Sequence, residues 1–196
     1  RLEDNYYEKD EVSLIQKIPN IKNLSVLELG GGFGVTSTFV NNKLNNKKNH
    51  VVVEANPNIL PYLKYNKYIN SCEFEIFDGI VGNIADFYSY DKLIAGSCHR
   101  KDNIEQNKTK HTVKNISLPN LLKKYSLNPN LLIVDIEGGE LDFLKQISFL
   151  TKLQYLVVEI HEGLMYPGFK AECLSIIKKY NGKSIANLGY SYLFYF

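Results

Sequence analysis

A glycine-rich segment at residues 27–34, with the sequence LELGGGFG, constrains the fold of this chain more than any other feature. It overlaps the strand-compatible residues 25–29 and leads into the helix-compatible residues 34–40. The pattern predicts a buried strand, a tight turn and a helix, because glycine lacks a Cβ and readily adopts positive φ angles. Such a turn lets backbone N–H groups approach a ligand closely. Glycine-rich turns also form for packing alone, so the remaining sequence must show what this one holds.

Length and composition predict one globular α/β domain. The 196 residues are 44% hydrophobic and 22% charged, which argues against disorder. We interpret residues 1–23 as a helical lead-in, 24–82 as a cofactor-binding half, 83–128 as an inserted hairpin and polar loop, and 129–196 as the substrate and catalytic half. The net charge of +2 is too small to predict nucleic-acid binding. No apolar run approaches the roughly 20 residues that span a bilayer.

The cysteines and the first residue bear on compartment and completeness. Cys72, Cys98 and Cys173 are too widely spaced for a disulfide framework or a metal motif, so we expect a reducing, cytoplasmic compartment. Cys98 precedes a histidine, but no third orienting group is visible to support a nucleophile. Because Arg1 is not an initiator methionine, we expect the chain to be a fragment or a processed product, and part of a larger polypeptide is one option.

Strand-like and helix-like segments alternate along most of the chain. The strand-like segments are residues 25–29, 50–54, 72–78, 131–137 and 155–161. The helix-like segments are residues 34–44, 56–70, 118–125, 141–150 and 170–180. This alternation predicts an α/β fold with a Rossmann-like, doubly wound, mostly parallel sheet, in which ligands bind at the carboxyl ends of the strands.

Two parts of the chain depart from this alternation. Residues 85–91 and 92–95 predict short antiparallel strands, 99–111 a polar loop, and 112–116 another short strand. Near the end of the chain, residues 183–186 and 191–196 are strand-like segments separated by a glycine. They predict a hairpin that adds an antiparallel strand to the sheet.

The glycine turn does not match a dinucleotide or triphosphate motif. In G-x-G-x-x-G counted from Gly30, Gly32 fits but the last position falls on Val35. Counted from Gly32, Gly34 fits but the last position falls on Ser37. The chain also lacks G-x-x-x-x-G-K-[ST]. These mismatches disfavour an NAD-dependent oxidoreductase and a nucleoside triphosphate site.

Acidic residues at predicted strand ends favour a different nucleotide cofactor. Glu28 precedes the glycines, where we expect it to face the cleft and suit a cationic or amino-bearing ligand such as S-adenosylmethionine. Glu54 ends the second strand, where an acid accepts hydrogen bonds from ribose hydroxyls. Asp78 ends the third strand, within reach of an adenine amino group. The predicted cofactor-binding residues are Glu28, Gly30, Gly32, Phe33, Gly34, Glu54, Ala55, Asp78 and Gly79.

A resemblance to a known family rests on three segments. Residues 135–140 (DIEGGE), together with 28–34 (ELGGGFG) and 53–57 (VEANP), resemble the FkbM family of S-adenosylmethionine-dependent methyltransferases. That family typically carries D-x-G-A-N-x-G, E-P-N-P and D-x-E-G-x-E. Glu28 stands in place of the usual aspartate, and Ala55 in place of the first proline. The resemblance covers roughly residues 26–161. It implies a sheet of the class I methyltransferase type and an enzyme that methylates hydroxyl groups, often on sugars.

The candidate catalytic residues lie at two later strand ends. We expect Asp135 and Glu137 to share one strand face, and Glu159 and His161 to share a face of the next strand. His161 or Asp135 would take the proton of the acceptor hydroxyl, with Glu137 and Glu140 orienting the acceptor or the turn. A structural role for His161, and a helix-dipole role for Glu140, remain open at this point.

The same carboxylates and histidine also suit a divalent cation. Asp135, Glu159 and His161 offer oxygen and imidazole ligands. The sequence thus predicts an S-adenosylmethionine-dependent O-methyltransferase that acts on a sugar, a glycan or another hydroxyl-bearing substrate by direct displacement. The alternatives are a non-catalytic S-adenosylmethionine-binding module of a larger glycan-modifying protein and, less favoured, an NAD-dependent oxidoreductase.

Overall fold

The computed structural model describes residues 8–82, 86–90, 96–97 and 108–196. The strands are β1 (Val26–Leu29), β2 (His50–Glu54), β3 (Glu75–Asp78), β4 (Ile80–Val81), β5 (Asp86–Tyr90), β6 (Gly96–Ser97), β7 (Lys108–Thr112), β8 (Asn115–Ile116), β9 (Leu131–Val134), β10 (Tyr155–Glu159), β11 (Lys183–Leu188) and β12 (Ser191–Tyr195). The helices are α1 (Lys9–Ile15), α2 (Val35–Asn41), α3 (Leu60–Ile69), α4 (Leu118–Lys124), α5 (Glu140–Leu144) and α6 (Phe169–Lys179).

The main sheet of the described residues has the strand order β11-β12-β10-β9-β1-β2-β3. β3, β2, β1, β9 and β10 pair in parallel. β12 is antiparallel to β10, and β11 is antiparallel to β12. The predicted doubly wound sheet with a C-terminal antiparallel hairpin is confirmed. The strand order reverses between β1 and β9, so the crevice that such folds use for ligands opens at the carboxyl ends of these two strands.

Apolar side chains alternate between the two faces of the central strands. Leu27 and Leu132 pack with α4, α5 and α6 on one face, whereas Val26 and Ile133 pack with α1 and α2 on the other. Both faces are covered, as the near-continuous apolar strands predict. The predicted N-terminal helix is present as α1, and its Leu14 is completely buried in the second of these clusters.

The turn after β9 differs from the predicted strand over residues 131–137. β9 ends at Val134, and Glu137 adopts a φ of 53°, followed by Gly138 with a φ of 101°. The left-handed backbone turns the chain away from the sheet, so Asp135 and Glu137 do not share a strand face. His161 likewise lies beyond the end of β10 at Glu159.

Two other predicted segments begin later than expected. The helix expected from residue 56 begins at Leu60, because the Asn56 side chain accepts the N–H of Asn58 at 3.0 Å and forms a local turn instead. The strand expected over residues 72–78 is confined to Glu75–Asp78.

The inserted region forms additional small sheets in the described residues. β5 pairs antiparallel with β6 and β7, and β4 pairs parallel with β8. The strand expected over residues 112–116 is thus divided between β7 and β8, and the expected polar loop becomes strand from Lys108. The strand predicted at 92–95, and Cys98 with its neighbouring histidine, lie outside the described residues.

Two further observations on the described part of the chain concern its cysteines and its helices. Cys72 and Cys173 are both buried and form no disulfide. None of the helices within the described ranges combines the length and the apolar character that crossing a membrane requires.

Candidate active site

A cavity of about 480 Å³ opens at the carboxyl ends of the central parallel strands. On the β1–β3 side it is lined by Gly30, Glu54, Ala55 and Gly79, and on the β9 side by Asp135. Its volume lies within the range of roughly 300–1,000 Å³ that is typical of small-molecule sites. The cavity therefore lies where the reversal of strand order predicts a ligand.

The glycine turn comes very close to the turn that follows β9. Gly30 has a φ of 87°, and a Cβ built on it would lie 1.6 Å from the backbone oxygen of Asp135. The N–H groups of Gly30 and Gly31 both donate to the Val53 carbonyl, at 2.9 and 3.1 Å. Only glycine allows this approach at position 30, so the turn fixes the shape of the crevice between β1 and β9.

Glu54 stands at the cavity edge, as predicted. Its carboxylate accepts the N–H of Gly32 at 2.8 Å and the N–H of Asn56 at 2.7 Å, and the residue is only 7% exposed. Burial raises the pKa of Glu54 to about 7, against the opposing effect of these backbone donors. A carboxylate has about four lone-pair sites, so two bonds leave acceptor capacity for ligand hydroxyls.

Glu28 lies elsewhere than expected. Its Oε1 accepts the hydroxyl of Ser37 at 2.6 Å, and its Oε2 lies 2.9 Å from Nε2 of His50. Glu28 alternates with Leu29 along β1, and whereas Leu29 lines the cavity, Glu28 is 1% exposed and bonds to α2 and β2. The expectation that Glu28 faces the ligand cleft is therefore corrected: its carboxylate belongs to a buried polar network.

Three further predicted cofactor residues, Asp78, Phe33 and Gly34, are not among the residues that line the cavity. The Asp78 carboxylate is half exposed and lies 3.4 Å from the ammonium group of Lys114. The Phe33 carbonyl accepts the side-chain amide of Asn66 at 2.7 Å. Gly34 precedes α2 with a φ of 85°. Phe33 and Gly34 thus belong to the glycine turn and its junction with α2, whereas Asp78 lies at the end of β3.

The predicted catalytic residues do converge, although the strand argument for them was wrong. Nε2 of His161 lies 3.6 Å from Oδ1 of Asp135 and 3.7 Å from Oε1 of Glu159. The side chains of these residues are only 15–27% exposed. Asp135 also lines the cavity, and so does Glu137. The cluster of Asp135, Glu159 and His161, called the acid–histidine cluster below, thus borders the cavity through Asp135.

Glu140 holds the histidine of this cluster. Its Oε1 lies 2.7 Å from Nδ1 of His161 and also accepts the N–H of Gly138 at 3.0 Å. The sequence left open a role in orienting the acceptor or the turn and a helix-dipole role. In the structure the carboxylate is completely buried, where it contacts the imidazole and the turn. Burial alone would lower the pKa of His161, but the bond to Glu140 and the nearby Asp135 and Glu137 outweigh it and raise the pKa to about 9.

Glu11 of α1 is a further buried acid that the sequence analysis missed. It is 3% exposed, and its Oε2 accepts the hydroxyl of Thr36 at 3.3 Å. Burial, followed by repulsion from Glu11 and Glu159, raises the pKa of Asp135. Oε1 of Glu11 and Oδ1 of Asp135 are both buried without a hydrogen-bond partner among the described residues. Only the placement of α1 against the sheet could have revealed this convergence.

Solved methyltransferase structures share this fold. The alignment with a precorrin-6y C5,15-methyltransferase from Geobacter metallireducens covers 95% of this chain and 85% of the methyltransferase chain, with 12% identity and a TM-score of 0.57. An S-adenosylmethionine-dependent methyltransferase from Aquifex aeolicus matches 98% and 94%, with 11% identity and a TM-score of 0.54. An O-methyltransferase from Bacillus cereus in complex with S-adenosylhomocysteine matches 93% and 78%, with 9% identity and a TM-score of 0.54.

The family assignment comes from the sequence match. At these low identities the structural similarity shows the fold alone, which is that of class I methyltransferases. No curated protein sequence matches the chain significantly. Residues 28–192, however, match the family model of the methyltransferase FkbM domain, and they include the glycine turn, Glu54, Asp135 and His161. The chain therefore belongs to the FkbM family of methyltransferases.

Proposed function

We propose that this chain transfers the methyl group of S-adenosylmethionine to a hydroxyl group of a sugar or glycan. The observation that carries the proposal is the position of Asp135, which lines the cavity and faces His161 at 3.6 Å. Membership of a methyltransferase family supports methyl transfer. The O-methyltransferase among the structures of similar fold, and the FkbM-like motifs, support a hydroxyl acceptor.

The cavity has the features that S-adenosylmethionine requires. Glu54 supplies acceptor capacity for ribose hydroxyls, and the close approach at Gly30 fixes the shape of the crevice beside the β9 turn. Ile59, Ile80 and Phe87 add apolar surface for a purine ring. When bound, the cofactor supplies a methyl group activated by the adjacent sulfonium. The residues present thus fit this cofactor.

The acid–histidine cluster is suited to receive the acceptor hydroxyl. Asp135 at the cavity wall accepts the hydroxyl proton, or His161 facing it does so once it has lost its own second proton, and Glu140 keeps the imidazole in place. Glu137 lines the same wall and would orient the acceptor. Positioning the acceptor in line with the methyl group contributes up to ~7–11 kcal/mol to lowering the barrier. A general base contributes about 10²–10⁴-fold in rate, so positioning is the larger effect.

Ligand binding and product analysis together test the proposal. Calorimetry should show binding of S-adenosylmethionine and S-adenosylhomocysteine, but not of NAD. Incubation with candidate glycans should give a mass increase of one methyl group. Binding of NAD with no binding of either sulfur ligand would overturn the assignment, and cofactor binding without methylated product in any glycan would favour the non-catalytic binding module.

A further inference from the structure

We infer that Asp135, Glu159 and His161 form a binding site for one divalent metal cation at the edge of the cavity. One donor atom from each of these residues lies within 4.8 Å of the other two. The imidazole Nε2 is 3.6 and 3.7 Å from the two carboxylate oxygens. Metal–ligand bonds of about 2.1 Å at tetrahedral angles would separate neighbouring donors by roughly 3.4 Å, so small side-chain shifts would complete the coordination.

Carboxylate oxygens in and around the cluster are buried without a hydrogen-bond donor among the described residues. Oδ1 of Asp135, the atom that faces His161, is buried and accepts no hydrogen bond within the described ranges. Glu11 is 3% exposed, and its Oε1 also lacks a hydrogen-bond partner there. Burial of carboxylate oxygens without hydrogen-bond donors is costly, and a bound cation would offset this cost more fully than the His161 imidazolium, which lies 3.6 Å from Asp135. These orphaned atoms distinguish the cluster from a group of solvated surface acids.

The histidine is arranged as metal-binding histidines are. Its Nδ1 lies 2.7 Å from Glu140, whose carboxylate is completely buried and also anchored by the Gly138 N–H. A ligating histidine almost always donates its second ring N–H to a carboxylate or carbonyl, which fixes the tautomer and the ring orientation. The bond to Glu140 directs Nε2 towards Asp135 and Glu159, and a cation bound there would replace the proton on this nitrogen.

The donor set indicates both the class of cation and its use. Two carboxylates and one imidazole suit a cation such as Mn²⁺, Fe²⁺ or Zn²⁺, with positions open to water or substrate. Since Asp135 also lines the cavity, an open position would face the acceptor. A cation there would coordinate the acceptor hydroxyl and favour its ionisation. With Nε2 of His161 on the cation, the second carboxylate oxygen of Asp135 would take the hydroxyl proton. The role in catalysis, but not the site itself, rests on the proposed methyltransferase function.

Titration of cation-stripped protein with Mn²⁺, followed by the electron paramagnetic resonance signal of free Mn²⁺, tests the site directly. We expect one bound Mn²⁺ per chain. Asp135→Asn and His161→Gln should each weaken binding more than about tenfold, and Glu140→Gln should weaken it about 10–100-fold. Glu162→Gln is the matched control, because Glu162 follows His161 but accepts the N–H of Gly168 at 3.1 Å. It should leave Mn²⁺ affinity unchanged.

Two outcomes would overturn the inference. One is the absence of saturable Mn²⁺ binding, and the other is equal weakening in Glu162→Gln and Asp135→Asn. Calorimetry with S-adenosylhomocysteine in the presence of chelator separates this test from the proposed function. Binding of S-adenosylhomocysteine without Mn²⁺ binding would leave the methyltransferase proposal standing alone. A third combination would refute the metal site and assign the cluster to the cofactor's ammonium group. In it, wild type binds no Mn²⁺, and chelator-treated Asp135→Asn loses its affinity for S-adenosylhomocysteine.

Discussion

Glu140 and His161, 21 residues apart in sequence, are joined by a 2.7 Å contact between a completely buried carboxylate and a mostly buried imidazole. The same carboxylate oxygen accepts the Gly138 N–H, so the contact ties the turn after β9 to the end of β10. Both of these segments contribute to the acid–histidine cluster. The contact thus sets the relative position of Asp135 and His161.

We first predict that Glu140 acts by positioning His161. Glu140→Ala should lower kcat about 10–100-fold, because the imidazole loses its fixed orientation. Affinity for S-adenosylhomocysteine should stay within twofold, since Glu140 is not among the residues that line the cavity. Glu140→Gln keeps an acceptor for the imidazole N–H and should recover part of the rate. A loss of cofactor affinity as large as the loss of kcat would instead indicate a general structural defect.

A second prediction concerns the pH dependence of cofactor binding. The pKa of Glu54 is raised to about 7, and ribose hydroxyls donate best to the ionised carboxylate. The fraction ionised rises about tenfold between pH 6 and pH 8, so affinity for S-adenosylhomocysteine should rise by up to about that factor. Calorimetry at both pH values measures it. Glu54→Gln should remove the pH dependence, and an unchanged pH dependence in that variant would refute the role of Glu54.

The same shift has a consequence for stability of the ligand-free protein. Because the folded-state pKa of Glu54 lies above its ordinary value of 4.5, the folded state binds more protons between pH 4.5 and 7. The contribution of Glu54 to the free energy of unfolding should therefore fall as the pH rises through this window and level off above it. Denaturation of wild type and Glu54→Gln at pH 4.5 and pH 7.5 isolates this contribution as a difference.

Our third prediction tests the contact between the two turns. Gly30→Ala places a Cβ where the Asp135 carbonyl lies, in a backbone conformation that alanine rarely adopts. The conformation alone costs about 1–2 kcal/mol, and relief of the overlap must move one turn away from the other. We expect a lower melting temperature and loss of S-adenosylhomocysteine binding. Gly163→Ala is the control, because nothing lies within 4 Å of its added Cβ. Equal behaviour of the two variants would contradict the account.

A fourth prediction separates Glu28 from Glu54. Glu28→Ala leaves His50 and Ser37 without their buried acceptor and should destabilise the fold by about 1–3 kcal/mol for each group left unpaired. The folded variant should still bind S-adenosylhomocysteine with wild-type affinity, whereas Glu54→Ala should not. Denaturation and calorimetry on both variants measure the contrast. If folded Glu28→Ala protein binds S-adenosylhomocysteine more weakly than wild type, Glu28 contacts the cofactor directly, as the sequence suggested.

The sheet could be predicted from the sequence because the residue pattern of each strand reflects how its two faces are buried. Apolar runs such as residues 131–134 are buried on both faces, and the hairpin after residue 183 has a clear turn. Glu54 was also predictable, since its place follows from its distance to the glycine turn. These features depend on local pattern and on the known geometry of parallel sheets.

Other parts of the site depend on contacts that no local pattern encodes. Alternation suggested that Asp135 and Glu137 share a strand, but the left-handed backbone at Glu137 ends that pattern. Side chains alternate along β1, so Leu29 lines the cavity and the Glu28 side chain points away from it. The contacts of Glu140 and Glu11 join segments far apart in sequence, so only the packed fold brings them to the cluster.

Transfer of an isotope-labelled methyl group from S-adenosylmethionine to a panel of glycans tests the central claim most directly. Wild-type protein should give a labelled product whose methyl group is an ether on a sugar hydroxyl, as located by mass spectrometry. Asp135→Asn should lower the rate by about 10²-fold or more, because the amide that replaces the carboxylate cannot take the proton of the acceptor hydroxyl. Label on nitrogen or carbon, or an Asp135→Asn rate equal to wild type, would contradict the account.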